Sequence, residues 1–252
     1  MSHSSATSIV DTKIDVIILC GGYGERFRGA TNDTIPKSLY RLHGKELIRY
    51  TLDTLDPKTT GTVIFATGHH ANMMRDWVAN QQFPYDIVVT EQTTPGIVGA
   101  VRSARPHVTS PYFMLCNSDE VRDGFNAADY IHRSLLVADD SHGTMATAQC
   151  DNLYRHRVIS VNDQNCIVDS QLRGEQYLSS PTDRAIVNAG IILMPSKHLD
   201  ELDRLDGTDW SAIIDPLIAA RRLYSVITHG MVYFNVGTTD ELSEADAYFA
   251  NA

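Results

Sequence analysis

Ile14-Asp15-Val16-Ile17-Ile18-Leu19-Cys20, followed at once by Gly21-Gly22-Tyr23-Gly24-Glu25-Arg26-Phe27, is the stretch whose reading decides the fold. Seven residues that are apolar but for one, four of them β-branched, suit a strand covered on both faces, and such strands belong to parallel sheets. The pattern repeats. Apolar runs at 63–67, 86–90 and 112–116 alternate with helical periodicity at 46–55, 71–81 and 97–104, which predicts βαβ crossovers and an α/β, Rossmann-like, doubly wound and mostly parallel sheet. A glycine-rich turn straight after the first strand then sits where such sheets place their ligands.

Outward from this core the texture changes. A helix is predicted at 126–137, followed by strand-like pieces at 144–149, 156–161 and 186–194 that either extend the sheet or form a small lid over it. Residues 170–184 are polar and include Gly174 and Pro181, so a loop or hairpin is expected there. Helices at 197–205 and 210–221 precede short strands at 224–228 and 232–236. Thr238 and Glu241 have capping-box spacing and start a last helix running to residue 250. Trp77 and Trp210 fall within amphipathic helical patterns and read as core residues. With no repeat or linker, residues 13–252 read as a single domain behind a polar tail, 1–12, expected to be disordered.

Composition narrows the function. The 252 residues are 43% hydrophobic and 21% charged, enough to bury a full core, which excludes a disordered chain. Thirty-one acidic residues against 21 basic give a net charge of −10, so a nucleic-acid backbone is not an expected partner. Cys20, Cys116, Cys150 and Cys166 form no CxxC pair and suit reduced thiols. No signal-like segment or apolar run of about 18 residues occurs, so no membrane partner is expected and the expected location is the cytoplasm.

The chemistry concentrates in a few short motifs. Gly21, Gly22 and Gly24 let backbone N–H groups turn toward a ligand, and Arg26 and Lys37 add fixed positive charge, a combination suited to polyphosphate. The spacing is neither GxGxxG, since residue 27 is Phe, nor GxxxxGK[ST]. Together with Pro36-Lys37-Ser38-Leu39, the string resembles the sugar-phosphate nucleotidyltransferase family (NDP-sugar pyrophosphorylases), whose signature runs L-x-G-G-x-G-T-R and then P-K-x-L. Glu25 replaces the usual Thr, as in variants among mannose-1-phosphate guanylyltransferase-like members.

The resemblance implies a GT-A-like nucleotidyltransferase fold with a small sugar-binding lid. Cys20, Gly21, Gly22, Gly24 and Glu25 would contact the nucleotide, with Arg26, Lys37 and Asp119 as catalytic residues. Glu91 and Gly96 take the places of the family's base-reading pair. Asn117-Ser118-Asp119 is similar to the N-G-D motif, in which the Asp holds Mg2+. Val187-Asn188-Ala189-Gly190-Ile191 is similar to the strand lining the sugar pocket, which gives Asn188 to sugar hydroxyls and Gly190 to close approach. Leu172-Arg173 stands where the family often has an E-K pair, so Arg173 would grip the sugar phosphate. Phe234-Asn235-Val236-Gly237-Thr238 resembles D-x-G-T, with Asn235 in place of the second metal-binding Asp.

The expected activity joins a nucleoside triphosphate to a sugar or sugar-like 1-phosphate, giving an NDP-sugar and pyrophosphate. Glu91 accepts hydrogen bonds but donates none, which complements the N1 and N2 hydrogens of guanine and favours GTP. Two other classes use related sheets. An NDP-sugar-dependent glycosyltransferase usually carries D-x-D, whereas Asn117 opens this motif; a non-catalytic nucleotide-sugar-binding homologue would accommodate Asn235. A homodimer is one assembly compatible with the chain.

Overall fold

The computed structural model describes residues 12–22, 35–68, 70–137, 139, 141–150, 156–172, 185–202 and 204–251. Of the sites named above, Gly24, Glu25, Arg26 and Arg173 lie outside the described residues, as does the expected tail but for residue 12. In chain order the strands are β1 (Ile14–Cys20), β2 (Arg41–Leu42), β3 (Lys45–Glu46), β4 (Thr60–Thr67), β5 (Ile87–Glu91), β6 (Tyr112–Asn117), β7 (Glu120–Asp123), β8 (Gly143–Cys150), β9 (Arg157–Val161), β10 (Ile167–Leu172), β11 (Ala185–Pro195), β12 (Leu223–Ile227) and β13 (Val232–Asn235). The α-helices are α1 (Leu47–Leu52), α2 (Ala71–Ala79), α3 (Gly96–Ala104), α4 (Ala127–Val137), α5 (Leu199–Leu202), α6 (Ser211–Ala219) and α7 (Thr239–Asn251).

The centre is the expected parallel block, in the order β6-β1-β4-β5. Each strand there is reached by a helical crossover, which is why its residues are apolar on both sides. Alternation along β1 shows the two faces directly. Ile14, Val16 and Ile18 enter one core with Ile48, Met74 and Tyr130 from α1, α2 and α4, whereas Ile17 enters another with Ile97, Val101 and Ile214 from α3 and α6. The sheet is therefore doubly wound.

Beyond β6 the direction reverses. β11 runs antiparallel to β6, and the sheet continues through β9 and β10, while β8 pairs with β11 and carries β12. The pieces after residue 137 that are described thus extend the sheet. β11 spans two neighbourhoods because its register against β8 shifts between Asn188 and Ile192, with Gly190 at φ +66° in the irregularity. A separate ribbon pairs β13 antiparallel with β7, placing Asn235 opposite Glu120. β7 was not among the strands expected from sequence, since Glu120-Val121-Arg122-Asp123 is mostly charged. Among the described residues no helix is long and apolar enough to cross a membrane.

The entry to β1 is fixed by a buried carboxylate. Asp15, 1% exposed, accepts from the backbone N–H groups of Thr62 at 2.8 Å, Thr109 at 2.7 Å and Ser110 at 2.8 Å, tying three segments together at the end of the sheet opposite the glycine turn. Replacing it by Ala strands three amide donors, each worth roughly 1–3 kcal/mol when buried without a partner. Asp15→Ala is therefore expected to lower the urea-unfolding free energy by at least about 2 kcal/mol, and Asp15→Asn by an intermediate amount, because an amide presents an NH2 group to one side of that donor set.

Candidate active site

The carboxyl ends of β1, β5 and β6 open into one cavity of about 580 Å³, where open α/β sheets bind ligands. Cys20, Gly21 and Gly22 continue from β1 into its wall, Gln92 and Gly96 come from β5 and the start of α3, and Asn117 to Glu120 follow β6. A strap formed by Thr208, Asp209 and Trp210 completes it, docked on α3 by a hydrogen bond from Ile97 N–H to the Thr208 carbonyl at 3.2 Å. Burial pushes the Cys20 thiol up, so this residue lines the cavity as a neutral S–H group.

At the middle of the cavity Lys37 meets Asp119. Pro36 holds an extended conformation before a single 3-10 turn, Lys37–Leu39, and that turn aims the lysine inward. Its Nζ lies 2.5 Å from Asp119 Oδ2, with both side chains largely shielded from water. Asp119 is fixed on both flanks: Ser118 donates through N–H and hydroxyl to the Leu19 carbonyl, and the Asp119 carbonyl accepts from Val236 N–H at 3.1 Å. That second bond brings Asn235, the last residue of β13, to the cavity wall. Lys37, Asp119 and Asn235, far apart in sequence, therefore share one site with Gly21 and Gly22.

Glu91 does not reach it. The residue is exposed and its carboxylate pairs with Arg75 on α2 at 3.2 Å. Its neighbour Gln92 lines the cavity instead, and its side-chain amide packs so closely over Gly21 that a Cβ there would overlap it. The inward residue is thus one position later than the sequence spacing suggested, because successive residues at a strand end face opposite sides.

Asn188 and Gly190 are likewise occupied inside the fold. Asn188 Oδ1 accepts from Gly190 N–H at 2.8 Å, stapling the irregularity in β11, and neither residue lines the cavity. Gly190 lacks a Cβ because Glu120 fills that space; a side chain there would collide with the Glu120 carboxylate. Glu120, 5% exposed, lies between β11 and the cavity, which it lines. It is ion-paired with Arg122 and accepts from Asn117 Nδ2 at 2.7 Å. Burial pushes its carboxyl up, opposed by the adjacent Arg122 guanidinium. Asn117 Oδ1 in turn accepts from Trp210 Nε1 at 3.3 Å, so Trp210 stands in the cavity wall, just before α6.

Sequence reasoning did not single out Glu120, Gln92 or the wall position of Trp210. The one available signal was the acidic residue directly after the metal-motif Asp119.

A family model described as the MobA-like NTP transferase domain matches residues 16–229. The chain belongs to this nucleotidyltransferase family. The bifunctional protein GlmU of Francisella philomiragia is 30% identical over 237 residues, covering 91% of this chain and 50% of that protein. The chain spans about half the length or less of the GlmU relatives it matches. Among solved structures, HddC from Yersinia pseudotuberculosis has a TM-score of 0.74 at 19% identity, covering 94% of this chain and 99% of that one. Its complex with GMP-PN has a TM-score of 0.71. The inositol-1-phosphate CTP transferase from T. maritima has a TM-score of 0.74 at 18% identity, covering 94% and 96% of the two chains. At such identities the structural likeness establishes the nucleotidyltransferase fold alone.

Gly190→Ala combines a positive φ with a clash against a buried carboxylate, so it is expected to cost about 2–4 kcal/mol in denaturant unfolding. Gly22→Ala, with nothing within 4 Å of the added methyl, is expected to leave the unfolding midpoint unchanged.

Proposed function

We propose that this chain joins a nucleoside triphosphate to a sugar or sugar-like 1-phosphate, forming an NDP-sugar and releasing pyrophosphate. The observation that carries the reading is the Lys37–Asp119 pair set beside the Gly21-Gly22 turn within one cavity. A sugar 1-phosphate has its second pKa near 6 and is mostly a dianion at pH 7, so its oxygen attacks the α-phosphorus without a general base. Bond formation there expels pyrophosphate, and negative charge builds on the α-phosphoryl and leaving oxygens. The protein's part is to align the two anions and neutralise that charge with preorganised donors. Inward backbone N–H groups around Gly21 and Gly22 would hold the triphosphate, together with Arg26 from the signature. Lys37 would lie at the junction of the two substrates.

Asp119 and Asn235 would hold Mg2+. The donor set fits: a carboxylate and a carboxamide oxygen stand on adjoining segments of the cavity wall, and the Lys37 ammonium already rests on Asp119, a carboxylate placed to serve a cation. With so few protein oxygens, the ion would complete its shell from water and phosphate, as magnesium usually does. When bound it would offset charge on the triphosphate oxygens. Arg173 would add positive charge for the sugar phosphate.

Base selection moves from Glu91 to Gln92. A carboxamide both donates and accepts, so the acceptor-only argument for guanine no longer applies. GTP keeps its favoured place through the GMP-PN complex of HddC. The acceptor class is a hexose, heptose, amino-sugar or cyclitol 1-phosphate.

A matrix of GTP, CTP, UTP, dTTP and ATP against sugar and inositol 1-phosphates, with magnesium and coupled detection of pyrophosphate, is expected to show turnover that needs both substrates. Binding without release in any combination would instead support the non-catalytic reading, and transfer from an NDP-sugar the glycosyltransferase one. Lys37→Ala is expected to lower the rate by about 100-fold or more while leaving the far-ultraviolet spectrum unchanged. Gln92→Ala is expected to weaken triphosphate binding by about tenfold in calorimetric titration, and Glu91→Ala to alter it less than twofold.

A further inference from the structure

Resting on the activity proposed above, we infer that Glu120 is a specificity-determining residue that accepts a hydrogen bond from a hydroxyl of the acceptor, which selects the 1-phosphate of an otherwise uncharged polyol bearing that hydroxyl unsubstituted. The two ends of the cavity differ in chemistry. Gly21, Gly22 and Gln92 lie on the side of β1 and β5, where a side-chain-free backbone suits close approach of the triphosphate. Asn117 ends β6, and Glu120, just after it, lies on the β11 side of that strand, against Gly190. The second substrate would approach from there.

At that end Glu120 is a built acceptor. A carboxylate offers about four lone-pair sites. Arg122 takes one as an ion-paired donor and Asn117 Nδ2 takes a second at 2.7 Å, one on each carboxylate oxygen. Acceptor capacity remains on a residue that lines the cavity. Asn117 cannot swing away, because its other amide atom accepts from Trp210 Nε1. Rotation of the carboxylate is opposed by Gly190, whose missing side chain is the space it fills. Glu120 therefore keeps acceptor capacity in the cavity wall, which favours a hydroxyl donor over a group that can only accept. Arg122 neutralises Glu120, so the couple adds little net negative charge against the dianionic 1-phosphate.

The experiment uses the full chain with the best triphosphate from the matrix and, as probes, glucose 1-phosphate, mannose 1-phosphate and myo-inositol 1-phosphate with their single-deoxy analogues. For the preferred acceptor, one deoxy analogue is expected to lose about 10- to 100-fold in kcat/KM with the native protein. Glu120→Gln is expected to raise the acceptor KM by a similar factor, to leave the triphosphate KM within twofold, and to erase the penalty for that deoxy analogue. A folded Glu120→Gln with an unchanged acceptor KM, or with the full deoxy penalty, overturns the inference while the nucleotidyltransferase reading stands. Should Glu120→Gln fail to fold, Asn117→Ala keeps the Glu120–Arg122 pair intact; it is expected to shrink the deoxy penalty at least threefold, and an undiminished penalty overturns the inference. Absence of pyrophosphate release by the native protein with every substrate pair overturns both readings together.

Discussion

The Arg122 guanidinium, 4% exposed, holds the mouth of the sheet in one arrangement. Its Nε donates to the Ala189 carbonyl at 2.7 Å, its Nη2 to Glu120 and to the Gly190 carbonyl at 3.3 Å, and its Nη1 to the Glu120 carbonyl and the Thr51 hydroxyl. One planar fork thereby joins β7, β11 and α1. A buried ion pair adds little to net stability, because the Coulombic gain is largely spent on desolvation. What it supplies here is geometry. Lysine could match neither the directions nor the number of these bonds. With β7 anchored, the backbone of Asp119 immediately before it is held where its carboxylate meets Lys37.

The change of strand direction at β6 explains why the cavity has two unlike ends. Parallel strands β1, β4 and β5 finish at the same level, and loops leaving them supply glycine turns and a helix start. β11 enters from the opposite direction and stays outside the cavity, its left-handed Gly190 packed behind Glu120 and its Ala189 and Gly190 carbonyls bonded to Arg122. That end of the cavity is therefore formed by side chains that follow β6 rather than by a glycine turn.

The sequence made the parallel block legible because each of its strands is a mostly apolar run, a pattern imposed by burial on both faces. β13 was expected at 232–236, but its partner β7 was not legible, since Glu120 and Arg122 satisfy each other's charge in the interior and no hydropathy pattern records such a pairing. The motifs located Lys37, Asp119 and Asn235 in the cavity wall but not every facing side chain. Glu91 and Gln92 differ by one position and point to opposite sides, which only the tertiary register decides. The family resemblance gave Asn188 to sugar hydroxyls, whereas in this structure its amide closes the irregularity in its own strand. Trp210 packs partly buried against the core, as its helical pattern implied, and because it precedes the first turn of α6 it also stands in the cavity wall.

Lys37 and Asp119 are 82 residues apart, and Asn235 reaches Asp119 only through pairing of the chain's two late and middle ribbons. No fragment that has formed only its local hairpins and helices contains this constellation. Closing loops of that length comes late and at an entropic cost, so the site is assembled at the end of folding and dissolves at the first global opening. Recovery of function after dilution from denaturant would thus track complete assembly of the chain more stringently than recovery of helical signal does.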